Sequence, residues 1–213
     1  MSVHKLQPDK PEVPPAPPGL EHINRYWDPR AGMVAAKLLP GEFYIAAKEE
    51  MLVTVVGSSM AVCARDERNR IGGMVHFMLP PIEEVTDGNE VAREVLSYGS
   101  AALGSLLEGL ARHGSKREDL VVNLVGGASV WPSHAQTARA SVRFTTQFLE
   151  NEGLQVGEIH LGDTMPRKVY FWPPSGVLFV RNLPVFNGTI KRREDSYIEA
   201  LQEQWLSDET GTG

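Results

Sequence analysis

The chain has 213 residues, 42% of them hydrophobic, a single cysteine and a formal net charge of −6. That length and apolar content fit one domain with a self-sufficient core, and the lone Cys63 excludes an intramolecular disulfide framework and suits a cytoplasmic protein. The acidic balance without a long basic stripe argues against nucleic acid as a partner. No apolar run nears the ~20 residues of a membrane span, and no secretory leader is visible, so membrane insertion is not expected.

Residues 1–22 read as a disordered, Pro-rich tail. Pro8, Pro11, Pro14, Pro15, Pro17 and Pro18 deny it a helix or a strand ladder. The domain proper is expected over 23–193. It opens with a polar-aromatic stretch, Asn24-Arg25-Tyr26-Trp27-Asp28-Pro29, that receives no element. Met33 to Leu39 reads as a strand, Pro40-Gly41 as a turn and Phe43 to Ala46 as a second strand. Met51 to Ala64 is a long apolar run interrupted by Gly57-Ser58-Ser59. Arg65 to Arg70 reads as a charged hairpin loop, and Ile71 to Leu79 as the returning strand, ended by Pro80-Pro81.

Two helices follow. Val91, Val95, Tyr98, Ala102, Leu106 and Leu110 recur at helical spacing, and His113-Gly114 ends that stripe. Leu120 to Val125 is a buried-strand candidate with the Gly126-Gly127-Ala128-Ser129 turn after it. The second helix covers Gln136 to Asn151, with Ala138, Val142, Thr145, Phe148 and Leu149 inward. Val156–Leu161, Arg167–Trp172 and Val177–Arg181 read as strands, with Pro173 to Gly176 as a hairpin loop. Residues 194–213 form a C-terminal helix and tail, the helix made amphipathic by Tyr197, Leu201 and Trp205. Strands outnumber helices and do not alternate strictly with them, so the class is α+β, with helices against one face of a β assembly.

The chemistry concentrates at Ser59 and His76. An apolar strand runs into a small-residue turn bearing a nucleophile-type side chain, and a histidine follows at the end of the next apolar strand. That is how a hydrolase places a nucleophile beside a general base. The other histidines, His4, His22, His113, His134 and His160, have no partners at metal-ligand spacing, and no metal or other cofactor is expected. The Gly126 turn lacks the lysine signature of a phosphate loop and reads as a tight structural turn.

These pieces resemble the CheD family of chemoreceptor glutamine deamidases. The resemblance runs through Leu39-Pro40-Gly41-Glu42, Gly57-Ser58-Ser59 and His76-Phe77-Met78-Leu79-Pro80. It continues in Tyr98-Gly99, Gly126-Gly127-Ala128-Ser129, Pro166-Arg167-Lys168-Val169 and Ser175-Gly176. It implies a single cytoplasmic domain of helices packed on one face of a β-sandwich. It also implies hydrolysis of a receptor glutamine side chain to glutamate and ammonia, by a cysteine thiolate with a histidine as base and acid and a threonine orienting the histidine. The implied partner is the cytoplasmic domain of a methyl-accepting chemoreceptor. A CheY phosphatase of the CheC type, which some members bind through the same cleft, is the implied alternative partner.

Carried over residue by residue, the nucleophile position falls on Ser59 and the base on His76. The orienting threonine falls on Thr54, with Val53 at the position some members use, and a purely structural strand threonine stays open. A serine hydroxyl cannot rest as an ion pair with imidazole as a thiolate does. Three readings of Ser59 therefore stay open: a small residue filling a turn, a working serine nucleophile, or a cysteine changed to serine in an otherwise active site. Ala138 and Ser141 stand where the family has Gly and Asn, and Gly162-Asp163-Thr164-Met165 is poorer in glycine than the family's loop. Cys63 reads as structural. Phe77, Met78, Leu79 and Pro80 read either as an apolar rim for a receptor helix or as core. The functional readings are a deamidase, inactive or weakened through Ser59, and a non-catalytic module that binds receptor helices or a phosphatase.

Overall fold

A computed structural model describes residues 11–46, 48–80, 90–184 and 188–210. One sheet holds β1 (Asn24–Asp28), β2 (Met33–Lys37), β4 (Glu50–Val56), β9 (Arg167–Trp172) and β10 (Val177–Asn182), in the order β1-β2-β4-β9-β10. The other holds β3 (Phe43–Ala46), β5 (Met60–Asp66), β6 (Ile71–Phe77), β7 (Leu120–Gly126) and β8 (Gln155–Leu161), in the order β3-β6-β5-β7-β8. Within each sheet one pair is parallel, β2 with β4 and β7 with β8, and the other pairs are antiparallel.

Burial explains the sequence patterns. Every residue of β6 is buried, because this strand is covered on both faces, and its run is apolar or small apart from His76. β9 alternates buried and half-buried residues, as a strand with one open face should. Between the sheets lies a core of Leu38, Tyr44, Leu52, Ala61, Cys63, Met74, Val125 and Phe171. The outer face of the second sheet is covered by α1 (Glu90–Arg112) and α2 (Ala135–Asn151), where Val62, Phe77, Leu106, Leu110, Leu124 and Leu149 pack together. The expected class holds: an α+β sandwich with these two helices on one face.

The α1 stripe packs as its spacing predicts, with Val95, Leu106 and Leu110 buried and Tyr98 and Ala102 packed beside them. The side chain of Val91 lies outside the described residues. A Cβ at Gly99 would fall 2.5 Å from the Phe144 ring, so a glycine there lets α1 and α2 approach closely. The polar-aromatic stretch before Met33 does form an element, the edge strand β1, paired to β2. Its residues are half-buried at most, so it lacks the apolar run by which inner strands announce themselves. Residues 11–20 carry neither helix nor strand, yet Leu20 is buried in the inter-sheet core and Arg25 donates to the Pro14 carbonyl. The C-terminal helix, α3 (Gly188–Thr210), begins before Glu194, and the side chain of Trp205 lies outside the described residues. Among the described residues, no helix is long and apolar enough to cross a membrane.

Candidate active site

The Gly57–Ser59 turn carries the chain out of β4 in one sheet and into β5 in the other. Thr54 stands on β4, and His76 stands on β6, paired opposite Ala61. The three side chains therefore meet at the seam where the two sheets join. His76 Nε2 lies 2.8 Å from Ser59 Oγ, and His76 Nδ1 lies 2.8 Å from Thr54 Oγ1. Thr54 donates its hydroxyl proton to the Leu38 carbonyl at 2.9 Å. Its oxygen is then left to accept from Nδ1–H, which assigns the tautomer with a bare Nε2 facing Ser59. The backbone of His76 is clamped from both sides: Gly41 N–H donates to its carbonyl at 2.7 Å, and its own N–H donates to the Glu42 carbonyl at 2.9 Å. This is the local work of the Leu39-Pro40-Gly41-Glu42 motif. Burial pushes His76 down to about 4, against the opposite pull of the Glu194 carboxylate, so the imidazole is neutral at neutral pH. A neutral base beside a hydroxyl is the resting arrangement of a serine-type nucleophile.

The glycine turn after β7 props this arrangement from behind. Gly127 N–H donates to the Ser59 carbonyl and Ala128 N–H to the Gly57 carbonyl, each at 2.9 Å. Gly126 has φ 127°, and a Cβ there would lie 2.1 Å from the Ser59 oxygen, which leaves room for glycine alone. The loop at Gly162–Met165 braces the turn in its own right: Gly162 N–H donates to Gly126 and Ser129 N–H to the Asp163 carbonyl. Ser141 has a structural duty too, because its Oγ accepts from Leu79 N–H at 3.0 Å, and Ala138 beside it is fully buried.

One functional group escaped the sequence reading. Glu194, on α3 and 2% exposed, inserts its carboxylate into the turn. Its Oε1 accepts from Gly57 N–H at 3.0 Å, from Ser59 N–H at 3.0 Å and from the Ser59 hydroxyl at 2.7 Å. With Glu194 seated, the single Ser59 hydroxyl proton therefore points to the carboxylate and reaches His76 Nε2 only once Glu194 leaves. Its Oε2 accepts from Ser58 N–H at 3.2 Å. The three backbone donors form a nest that suits an anion or a developing oxyanion. Burial pushes the Glu194 carboxyl up, but His134, the Ser59 hydroxyl and the turn amides outweigh it and hold the group below the usual carboxylate range. His134 is buried, with Nε2 2.9 Å from Asp195 Oδ1 and Nδ1 3.5 Å from Glu194 Oε2. It packs edge-on to Trp131, whose ring would lie 2.8 Å from a Cβ at Gly57.

One open choice is decided and one expectation changes. Phe77, Met78, Leu79 and Pro80 are all buried, so of the two readings they are core rather than a rim open to a partner helix. His134, isolated in sequence, sits against two carboxylates of α3. Cys63 is fully buried in the inter-sheet core, where burial pushes its thiol far up and keeps it inert. Among the described residues, no group of His, Cys, Asp and Glu is placed to hold a metal ion.

A family model described as CheD chemotactic sensory transduction matches residues 78–182. A curated protein of Halorhodospira halophila, named probable chemoreceptor glutamine deamidase CheD, is 39% identical over 200 residues, which is 92% of each chain. A protein of the same name from Hahella chejuensis is 32% identical over 195 residues, 90% of this chain and 92% of its own. One from Dechloromonas aromatica, named probable chemoreceptor glutamine deamidase CheD 1, is 40% identical over 182 residues, 83% of this chain and 89% of its own.

Proposed function

The chain belongs to the CheD family, and from that premise we propose that it serves chemotaxis as a chemoreceptor glutamine deamidase with Ser59, His76 and Thr54 as its catalytic set. The observation that carries the reading is the buried line Leu38–Thr54–His76–Ser59, ending beside a nest of three backbone N–H groups. A glutamine side chain enters with its carbonyl oxygen toward the nest. Ser59 Oγ attacks the amide carbon while His76 Nε2 takes the hydroxyl proton. The nest holds the negative charge that develops on oxygen. His76 then returns the proton to the nitrogen, the C–N bond breaks and ammonia leaves. Water, deprotonated by His76, attacks the resulting ester, and His76 passes that proton to Ser59 Oγ as the ester C–O bond breaks and glutamate is freed. Thr54 is a positioning residue that fixes the imidazole.

Where the family resemblance calls for a cysteine, this chain carries Ser59. A hydroxyl is a much weaker acid than a thiol of pKa ~8.5, and burial makes His76 a weak base. Proton removal is uphill from both sides, so turnover by the chain as it stands is slow. The same facts favour a second reading, a module that grips receptor helices, or a phosphatase of the CheC type, without turnover. The test is ammonia release from a receptor cytoplasmic fragment. Little is expected from the unaltered chain, much more from Ser59→Cys and none from Ser59→Ala. A Ser59→Cys protein that binds the fragment yet releases no ammonia would overturn the deamidase reading in favour of the module. Release by the unaltered chain, lost in Ser59→Ala, would identify a competent serine nucleophile.

A further inference from the structure

Glutamate is what remains when a glutamine side chain is deamidated, and Glu194 holds that very group against Ser59. Its Oε1 occupies the nest and touches the Ser59 hydroxyl, where the amide oxygen of a substrate belongs. Its Oε2 takes the remaining N–H of the turn, at Ser58, and faces His134. The residue is presented from an α-helix, α3, rather than from a loop. Further contacts seat that helix over the cleft: Asp195 on His134, Tyr197 against Gly41, and buried Ile190 and Leu201. With α3 in place Ser59 is 0% and His76 2% exposed, so nothing else can reach them. We infer that α3 is a built-in pseudo-product: it fills the substrate berth with Glu194 in the position of the target glutamine, and it must leave before another helix can be bound.

This inference rests on the deamidase reading for the meaning of the berth, while the occupancy itself does not. A tethered competitor acts at a high local concentration. A partner helix therefore meets an apparent affinity lowered by the fraction of molecules in which α3 is seated. The berth itself asks for an uncharged or anionic planar group on a helix, with an acidic neighbour to meet His134 as Asp195 does.

Two measurements on the full chain test this. First, amide exchange at Gly57, Ser58 and Ser59 is compared between the unaltered chain and Glu194→Ala, with Ala61 to Ala64 of β5 as the control for global folding. Exchange at the three turn amides is expected to rise at least about tenfold in the variant while β5 is unchanged. Equal exchange in both proteins overturns the occupancy whatever the activity proves to be. Should Glu194→Ala fail to fold, Glu194→Gln is measured with a receptor fragment as competitor. Faster exchange at the α3 amides around Ile190 to Leu201 as the fragment displaces the helix supports the berth, and unchanged α3 exchange despite binding of the fragment overturns it. Second, in a Ser59→Cys/Glu194→Gln double variant the thiolate can attack the introduced amide on α3. Mass spectrometry of the peptide spanning residue 194 should show its conversion to the acid, at a rate independent of protein concentration and lost when His76→Ala is added. No conversion in a protein that still deamidates a receptor fragment overturns the substrate-like pose. No turnover of either amide counts against the deamidase reading, and the exchange data then decide the berth alone.

Discussion

The seam of the two sheets and the helix that closes it are built on opposite principles. Thr54, Ser59 and His76 are fixed by strand pairing, by the clamp at Gly41 and Glu42, and by the Gly126–Ala128 turn. α3 is held mainly by the carboxylates of Glu194 and Asp195 and by two buried apolar side chains, Ile190 and Leu201. One region places reacting atoms through backbone geometry; the other controls access through side chains on a helix that can be released without touching a strand. The contrast teaches where to look for each kind of effect. Changes at the seam should alter chemistry and stability together, whereas changes on α3 should alter access more than the chemistry of the seam.

The largest expected break falls on the seam's base. In a Ser59→Cys background, His76→Ala should lower the rate of ammonia release from a receptor fragment by ~10²–10⁴-fold with the secondary structure retained. Next comes acid. The folded His76 titrates near 4, below its ordinary 6.5, so the unfolded chain takes up the proton first as pH falls. Stability is therefore full above about pH 6.5, declines from there, and the loss is complete below about 4. The depressed Glu194 carboxyl adds a loss of the same sign at lower pH. The histidine share is on the order of 3 kcal/mol, and urea unfolding across that window should show a shallower decline in His76→Gln. Thr54→Val removes the bonds to Leu38 and His76 and should cost about 1–3 kcal/mol; in the Ser59→Cys background it should lower kcat with little change in KM. Cys63→Ala is the smallest, about 1 kcal/mol of stability with turnover unchanged, which would confine this thiol to the inter-sheet core.

The sequence made the seam more legible than the helix over it. Apolar runs marked the buried strands, and the glycine-serine turn followed by His76 marked the site, because those signals are local. β1 was hidden because Asn24 to Asp28 is polar-aromatic and half-buried at most. Glu194 was hidden for a different reason. It sits in a run of charges, Lys191 to Asp195, that reads as a solvated helix face, and the turn it enters is 135 to 137 positions away along the chain. His134 looked isolated because both of its partners lie on that same distant helix. No periodicity reports a contact of that span; only the buried, hydrogen-bonded carboxylate does.

The turn that holds Ser59 is braced by residues made much later, at Gly127 and Ala128, and the flanking Gly126 and Ser129 are held in turn by Gly162 and Asp163. A chain emerging from the ribosome at ~5–20 residues per second therefore completes the sheet seam only after β7 and the loop beyond β8 have arrived. α3 comes last of all. Each newly made molecule thus passes through a brief adolescence in which the cleft is finished but its own helix has not yet closed it. A receptor helix nearby in that interval would meet the cleft without first having to displace α3.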